Sequence, residues 1–302
     1  MIEIKDVAKT FDSLMALNNI SINIDSGIVY GLLGTNGAGK STLLRIISGV
    51  IKPDTGSVTI DSEAVYDNPK AKSKMFFVSD DEYFFPYSTG EDMAKYYNCI
   101  YENYDIDYYY ELCSKLSLDC KRKIHTFSKG MKKQMAIILG ICSKTEILLC
   151  DETFDGLDPV MRQAMKSLFA KEMSERTFTP ILTSHNLREL EDICDIVGIL
   201  HKGGVLFSKD VDELKCNIQK LQCVFKEDDG IDKVQSSIEV LKVEKRGSMY
   251  TITARGKRVE IEEKMEAIPT IFMEMLPLTL EEIFINETEV VGYDVKKLLL
   301  EA

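Results

Sequence analysis

The sequence predicts an α/β fold followed by a smaller α+β domain. Short apolar runs alternate with helix-like stretches from about residue 20 to residue 207. A glycine-rich turn joins one apolar run directly to the helix-like stretch behind it. After about Leu214 the pattern changes to hairpin-like strands around one amphipathic helix.

The elements follow in chain order. Residues 20–24 alternate and read as an outer strand, and residues 28–33 form an apolar run that reads as a buried one. Residues 40–49 are helix-like, and residues 58–60 and 75–78 are further strands. Residues 87–118 read as helical and are rich in tyrosine: Tyr96, Tyr97, Tyr101, Tyr104, Tyr108, Tyr109 and Tyr110. A second helix covers residues 130–141, and residues 147–150 are a very apolar strand. Residues 159–172 predict a helix, 180–183 a strand and 187–192 the start of a helix. Residues 196–200 and 205–207 fit a hairpin around Lys202, Gly203 and Gly204. In the last part, residues 221–225 and 271–275 are strands, and 238–245 pairs with 249–254. Residues 259–267 are helical. The expected boundaries are residues 1–215 for the main domain and 216–302 for the accessory one.

Composition narrows the function. The chain has 302 residues, 45% of them apolar, so it buries a sizeable core. Its 37 Lys/Arg against 49 Asp/Glu leave a net charge of −12, which argues against a nucleic-acid partner. The opening MIEIKD is not a signal peptide, and no run of eighteen apolar residues predicts a bilayer span. The 8 cysteines are scattered and form no CxxC pair, which points to reduced thiols. With 3 histidines and no HExxH, a zinc enzyme is not expected.

The strongest motif is Gly34-Thr35-Asn36-Gly37-Ala38-Gly39-Lys40-Ser41-Thr42, a complete GxxxxGK[ST] between a strand and a helix. The glycines let the backbone wrap closely around phosphate oxygens. The amides of residues 37–41 then point inward, and the helix amino terminus favours negative charge. Lys40 is placed for the β and γ phosphates, Ser41 for Mg2+ and Thr42 for the α or β phosphate. About 110 residues later, the apolar strand 147–150 ends in Asp151 and Glu152. Asp151 is the expected Mg2+ ligand and Glu152 the group that polarises an attacking water.

With these motifs in order, the chain resembles the ATP-binding subunit of an ABC transporter. The resemblance covers residues 1 to about 215. It implies a P-loop NTPase fold of the ABC type, with an antiparallel β subdomain and a helical subdomain. Phe11 matches the aromatic that stacks on adenine, although ordinary core packing also accounts for a lone aromatic. Thr126-Phe127-Ser128-Lys129-Gly130-Met131 is similar to the family's signature. Ser128 and Gly130 are kept, while Phe127, Lys129 and Met131 replace the usual Leu, first Gly and Gln. Lys129 either strengthens ATP binding electrostatically or points to solvent. Gly156-Leu157-Asp158-Pro159 resembles the D-loop, and His185 the switch histidine that contacts the γ phosphate. At the Q-loop position the family has Gln or Glu; here Asp80 falls there, with Asp81 the neighbouring candidate. Asp80 would approach Mg2+ through water.

The resemblance further implies ATP and Mg2+ as ligands and a head-to-tail partnership with a second ATPase subunit, identical or different. Ser128 and Gly130 of one chain would complete the site of the other. A separate integral membrane subunit would carry the solute, with this chain cytoplasmic on the inner face of the membrane. Residues 84–90 resemble the stretch that grips that subunit, and residues 276–284 the tail of ATPases from ABC-2 type exporters. Two rivals stand beside transport. A soluble ABC ATPase would need two cassettes or a long coiled-coil insertion, yet there is one P-loop, and about 48 residues separate Asp80 from Ser128. A regulatory subunit with little turnover is favoured by Asp80, Lys129 and Met131, and opposed by Lys40, Asp151, Glu152 and His185.

Overall fold

The structure is a computed structural model that describes residues 1–154, 156–227, 229–279 and 281–283. It divides into two compact units, Met1–Ser208 and Lys209–Ala302.

The first unit opens with an antiparallel sheet of β1 (Ile2–Phe11), β2 (Leu14–Ile24), β4 (Thr55–Ile60) and β5 (Glu63–Ala64), in the order β2-β1-β4-β5. Between them in sequence lie β3 (Tyr30–Leu33) and α1 (Lys40–Ile47). After α2 (Pro69–Lys72) comes β6 (Met75–Val78), followed by α3 (Gly90–Ile100), α4 (Ile106–Lys115) and α5 (Lys129–Cys142). The rest of this unit is β7 (Ile147–Cys150), α6 (Pro159–Glu175), β8 (Thr179–Ser184), α7 (Leu187–Glu191), β9 (Ile196–His201) and most of β10 (Gly204–Asp210). The main sheet has the order β10-β9-β3-β8-β7-β6, and its pairings from β9 through β6 are parallel. Every residue of β3, β7 and β8 is buried, which accounts for their continuous apolar reading.

The register fixes the site. Leu33 pairs with Ser184, Cys150 with Leu182, and Val78 with Cys150. The loops after β3, β6, β7 and β8 therefore leave from one edge of the sheet, where parallel α/β sheets bind ligands.

Two expectations needed correction. The helical reading of residues 87–118 splits into α3 and α4. Tyr101 is extended at the end of α3, and Asp105 caps α4 by accepting from the Tyr108 N–H. Strand β1 was not expected. Its alternation is broken at Asp6, which has φ of 49° beside register shifts between Ile4 and Val7.

In the second unit, α8 (Val211–Asn217) leads into β11 (Ile218–Phe225), α9 (Gly230–Ser237), β12 (Glu239–Arg246), β13 (Met249–Arg255), α10 (Arg258–Glu266) and β14 (Thr270–Leu276). The strands form an antiparallel sheet, β12-β13-β11-β14. Leu221, Cys223 and Ile252 pack with Val234 of α9 and with Ile261 and Met265 of α10 into a separate core. Of the exporter-like segment 276–284, Leu280 and Phe284 lie outside the described residues. No described helix is long and apolar enough to cross a membrane.

Candidate functional site

The phosphate loop is shaped by crowding as much as by flexibility. A Cβ on Gly34 would sit 2.6 Å from the Leu200 carbonyl oxygen. Gly39 has φ of 105°, and a Cβ there would meet the Ala16 carbonyl oxygen at 2.5 Å. Only glycine satisfies both limits. The Ala38 N–H closes the turn onto the Thr35 carbonyl at 3.0 Å. Gly39 then starts α1 with no side chain capping its amides and no acid in the first turn. These free N–H groups suit an anion. Asn36 and Gly37 are exposed at the tip, while Ser41 and Thr42 are partly buried in the first turn.

Lys40 arches back over this loop. Its buried ammonium donates to the carbonyls of Gly34 at 2.7 Å and Thr35 at 3.2 Å, and lies 3.1 Å from Glu152 Oε1. The other Glu152 oxygen is 3.5 Å from His185 Nδ1, too long for a good hydrogen bond. The turn carrying His185 is pinned by Ser184, whose hydroxyl donates to Glu189 Oε2 at 2.7 Å and accepts from the Asn186 N–H at 2.9 Å.

Asp151 is only 1% exposed. Its Oδ1 accepts from the Thr183 hydroxyl at 2.8 Å, and that hydroxyl accepts from the Glu152 N–H at 2.9 Å. Burial pushes the Asp151 carboxyl above its ordinary value, and hydrogen bonds from Thr183 and Ser41 oppose the rise. A buried carboxylate beside a serine hydroxyl fits a hard divalent cation, which is completed by phosphate and water rather than by an all-protein cage. No cluster of three or more His, Cys, Asp or Glu suited to a metal occurs among the described residues.

Asp80 follows β6 at the same edge, half-exposed, with Oδ1 3.4 Å from Lys133 Nζ. The structure thus brings Lys40, Asp151, Glu152, His185 and Asp80 into one connected group. Among the described residues, no hydrogen bond or ion pair joins Phe11 or Ser128 to it. Phe11 is 42% exposed at the end of β1, with Lys9 Nζ 5.5 Å from its ring. Ser128 is exposed and caps α5, accepting from the Met131 N–H at 3.2 Å. A Cβ on Gly130 would be in ordinary contact with the Gly156 carbonyl, at 3.5 Å. Sequence reasoning missed two participants. The bridging Thr183 and the fully buried Lys133 carry no motif signal of their own.

A phosphate loop, a buried acid and a paired glutamate at one edge of a parallel sheet define a P-loop ATPase. The chain belongs to the ATP-binding proteins of ABC transporters. The family described as ABC transporter matches residues 17–155. The ABC transporter ATP-binding protein YtrB of Bacillus subtilis (strain 168) is 30% identical over 285 residues, spanning 94% of this chain and 97% of that protein. The bacitracin transport ATP-binding protein BcrA of Bacillus licheniformis is 32% identical over 220 residues, 71% of each. In fold, an ATP-binding subunit of an ABC transporter superposes with a TM-score of 0.65 at 24% identity, over 71% of this chain and 92% of that one. A dimeric ATP-binding cassette bound to ADP and phosphate gives 0.63 at 23% identity, over 70% and 99%.

Proposed function

We propose that the chain binds and hydrolyses ATP to power export through a separate membrane subunit, by ATP-driven closure of a head-to-tail dimer. The observation that carries this reading is the placement of Lys40 and His185 on the two oxygens of Glu152, beside the buried Asp151. Residues 1–215 serve as the ATPase and residues 216–302 as an accessory domain.

Gly34, Asn36, Gly37, Ala38 and Gly39 wrap the phosphates with their amides, and Lys40 neutralises the β and γ oxygens. Thr42 contacts the α or β phosphate, and Phe11 stacks on the adenine. Ser41 and Asp151, with Asp80, would hold Mg2+, which when bound would supply charge neutralisation on the phosphate oxygens. Glu152 orients and polarises the attacking water, and His185 holds the γ phosphate in line with it. Ser128 and Gly130 of the partner subunit close over the same phosphate at the amino end of α5. ATP is then the bridge between two positive helix ends, and its hydrolysis removes the bridge.

Exposed aromatics support the membrane partner. Tyr83, Phe85 and Tyr96 form edge-to-face contacts at 6.0 and 4.8 Å, and Tyr87, 75% exposed, stands edge-to-face on His125. Tyr104, Tyr108 and Tyr109 instead pack inside the helical region. The resemblance of residues 276–284 to exporter ATPases supports the direction. Gel filtration of Glu152→Gln tests the dimer: with saturating ATP and Mg2+ it should elute at twice the monomer mass. Elution as a monomer there refutes ATP-driven self-closure.

A further inference from the structure

Lys133 is buried to 0% exposure, a rare position for an ammonium group. It lies on α5, five residues after Ser128. A buried charge is costly unless it is well paired, so its contacts identify what it holds. The short contact is Nζ to the Glu152 carbonyl oxygen, at 2.5 Å. Asp80 Oδ1 lies further away, at 3.4 Å.

Glu152 has φ of 47°, a left-handed conformation that side chains other than Asn and Asp adopt uncommonly. Its N–H is held by the Thr183 hydroxyl and its carbonyl by Lys133. Both ends of a strained residue are thus gripped from different elements, β8 and α5. The direction of its carboxylate, toward Lys40 and His185, follows from that backbone.

We propose that Lys133 is a positioning residue, whose ammonium holds the strained Glu152 backbone and so aims the Glu152 carboxylate, with Asp80 competing for the same ammonium. This rests on the reading of Glu152 as the group that acts on the attacking water. Because α5 begins beside Ser128, a shift of this helix is passed directly to the Glu152 carbonyl. The device ties the end of the chain that would meet a partner to the residue that sets turnover.

The test measures ATP affinity and ATP turnover separately on the full chain. Losing a charged hydrogen-bond donor at this carbonyl should lower kcat of Lys133→Met by about tenfold or more, with KM for ATP within about threefold. Lys133→Gln keeps a polar head but is too short to reach, so it should show the same loss. Lys133→Arg, which keeps a long cationic donor, should return kcat to within about threefold of the wild type. In a Glu152→Gln background, Lys133→Met should add no further loss, since it acts through Glu152. Should the Met variant fail to bind ATP through misfolding, the Gln and Arg variants carry the comparison. A Met or Gln variant that binds ATP normally and keeps wild-type kcat overturns the proposal. So does a loss that is undiminished in the Glu152→Gln background. A wild-type chain whose ATP turnover does not exceed that of Lys40→Ala refutes the ATPase reading itself, and the Lys133 proposal with it.

Discussion

Thr183→Val separates a hydrogen-bonding role from a packing role by the sign of a difference. Thr183 is 1% exposed, and its hydroxyl serves both the Asp151 carboxylate and the Glu152 N–H. Valine keeps the shape and removes both bonds. An unpartnered buried N–H costs about 1–3 kcal/mol, and losing a bond to a charged group costs about 1.5–3 kcal/mol. The two losses share one site and do not add fully, so a net destabilisation of about 2–4 kcal/mol is expected. Thr183→Ser does the converse, keeping the hydroxyl and losing one buried methyl and some strand preference, for about 1 kcal/mol. The predicted order of stability is wild type, then Ser, then Val. Packing alone predicts Val level with the wild type and Ser below both. Urea denaturation in EDTA, reading the transition of the first unit, decides between them. A Val variant as stable as the Ser variant, or more so, refutes the network.

Other outcomes follow from the same contacts. Gly34→Ala would drive a Cβ to 2.6 Å from the Leu200 carbonyl oxygen, a backbone atom that cannot swing aside. It should destabilise by about 1–3 kcal/mol and weaken ATP binding at least tenfold, about 1.4 kcal/mol, as read by calorimetry. Asp61 is held below its ordinary carboxylate value by the hydrogen bond from Lys74, at 2.5 Å. A lowered carboxyl stabilises the fold above its unfolded value of 3.8, and that contribution is lost as pH falls through the folded one. Since Asp61 is exposed, Asp61→Asn should cost at most about 1 kcal/mol at pH 7 and low salt, and progressively less as pH falls below 3.8. Asn tolerates the φ of 49° at this position, so the charge is removed without added backbone strain. Thermal melts across that pH range check it; a pH-independent deficit contradicts it.

Much of the frame was legible because it depends on order along the chain. The glycines, Lys40 and Ser41 carry their chemistry in local spacing, and the strands before them and before Asp151 are buried at every residue. What was not legible depends on contacts across the sheet. Thr183 reads as one more β-branched strand residue until Asp151 is set against it at 2.8 Å. Lys133 reads as the second lysine of a basic pair on a helix, which is usually a solvated face. The packing of α5 against β6 and β7 turns that side chain inward, onto the Glu152 carbonyl. The break between α3 and α4 was hidden for a related reason: the tyrosines on both sides continue the pattern across the cap at Asp105.

The acidity of the chain bears on the site less than its net charge of −12 suggests. Free charges are screened beyond about 8 Å at physiological salt, and surface carboxylates lie in high dielectric. Inside the site the contacts are 2.5–3.5 Å and partly dry, so individual pairs decide. There the two neighbouring acids are treated in opposite ways. Asp151 is buried without an ion pair among the described residues and is pushed up by that burial, which leaves it in want of a cation. Glu152 has its own cation in Lys40, while its backbone rests on a second in Lys133. The two lysines are therefore not interchangeable. Lys40 holds the loop carbonyls and the Glu152 carboxylate, and on the proposed reading it would exchange that carboxylate for an incoming phosphate. Lys133 instead holds the Glu152 carbonyl. Removing the first should lower ATP affinity, whereas removing the second should leave affinity intact and lower turnover alone.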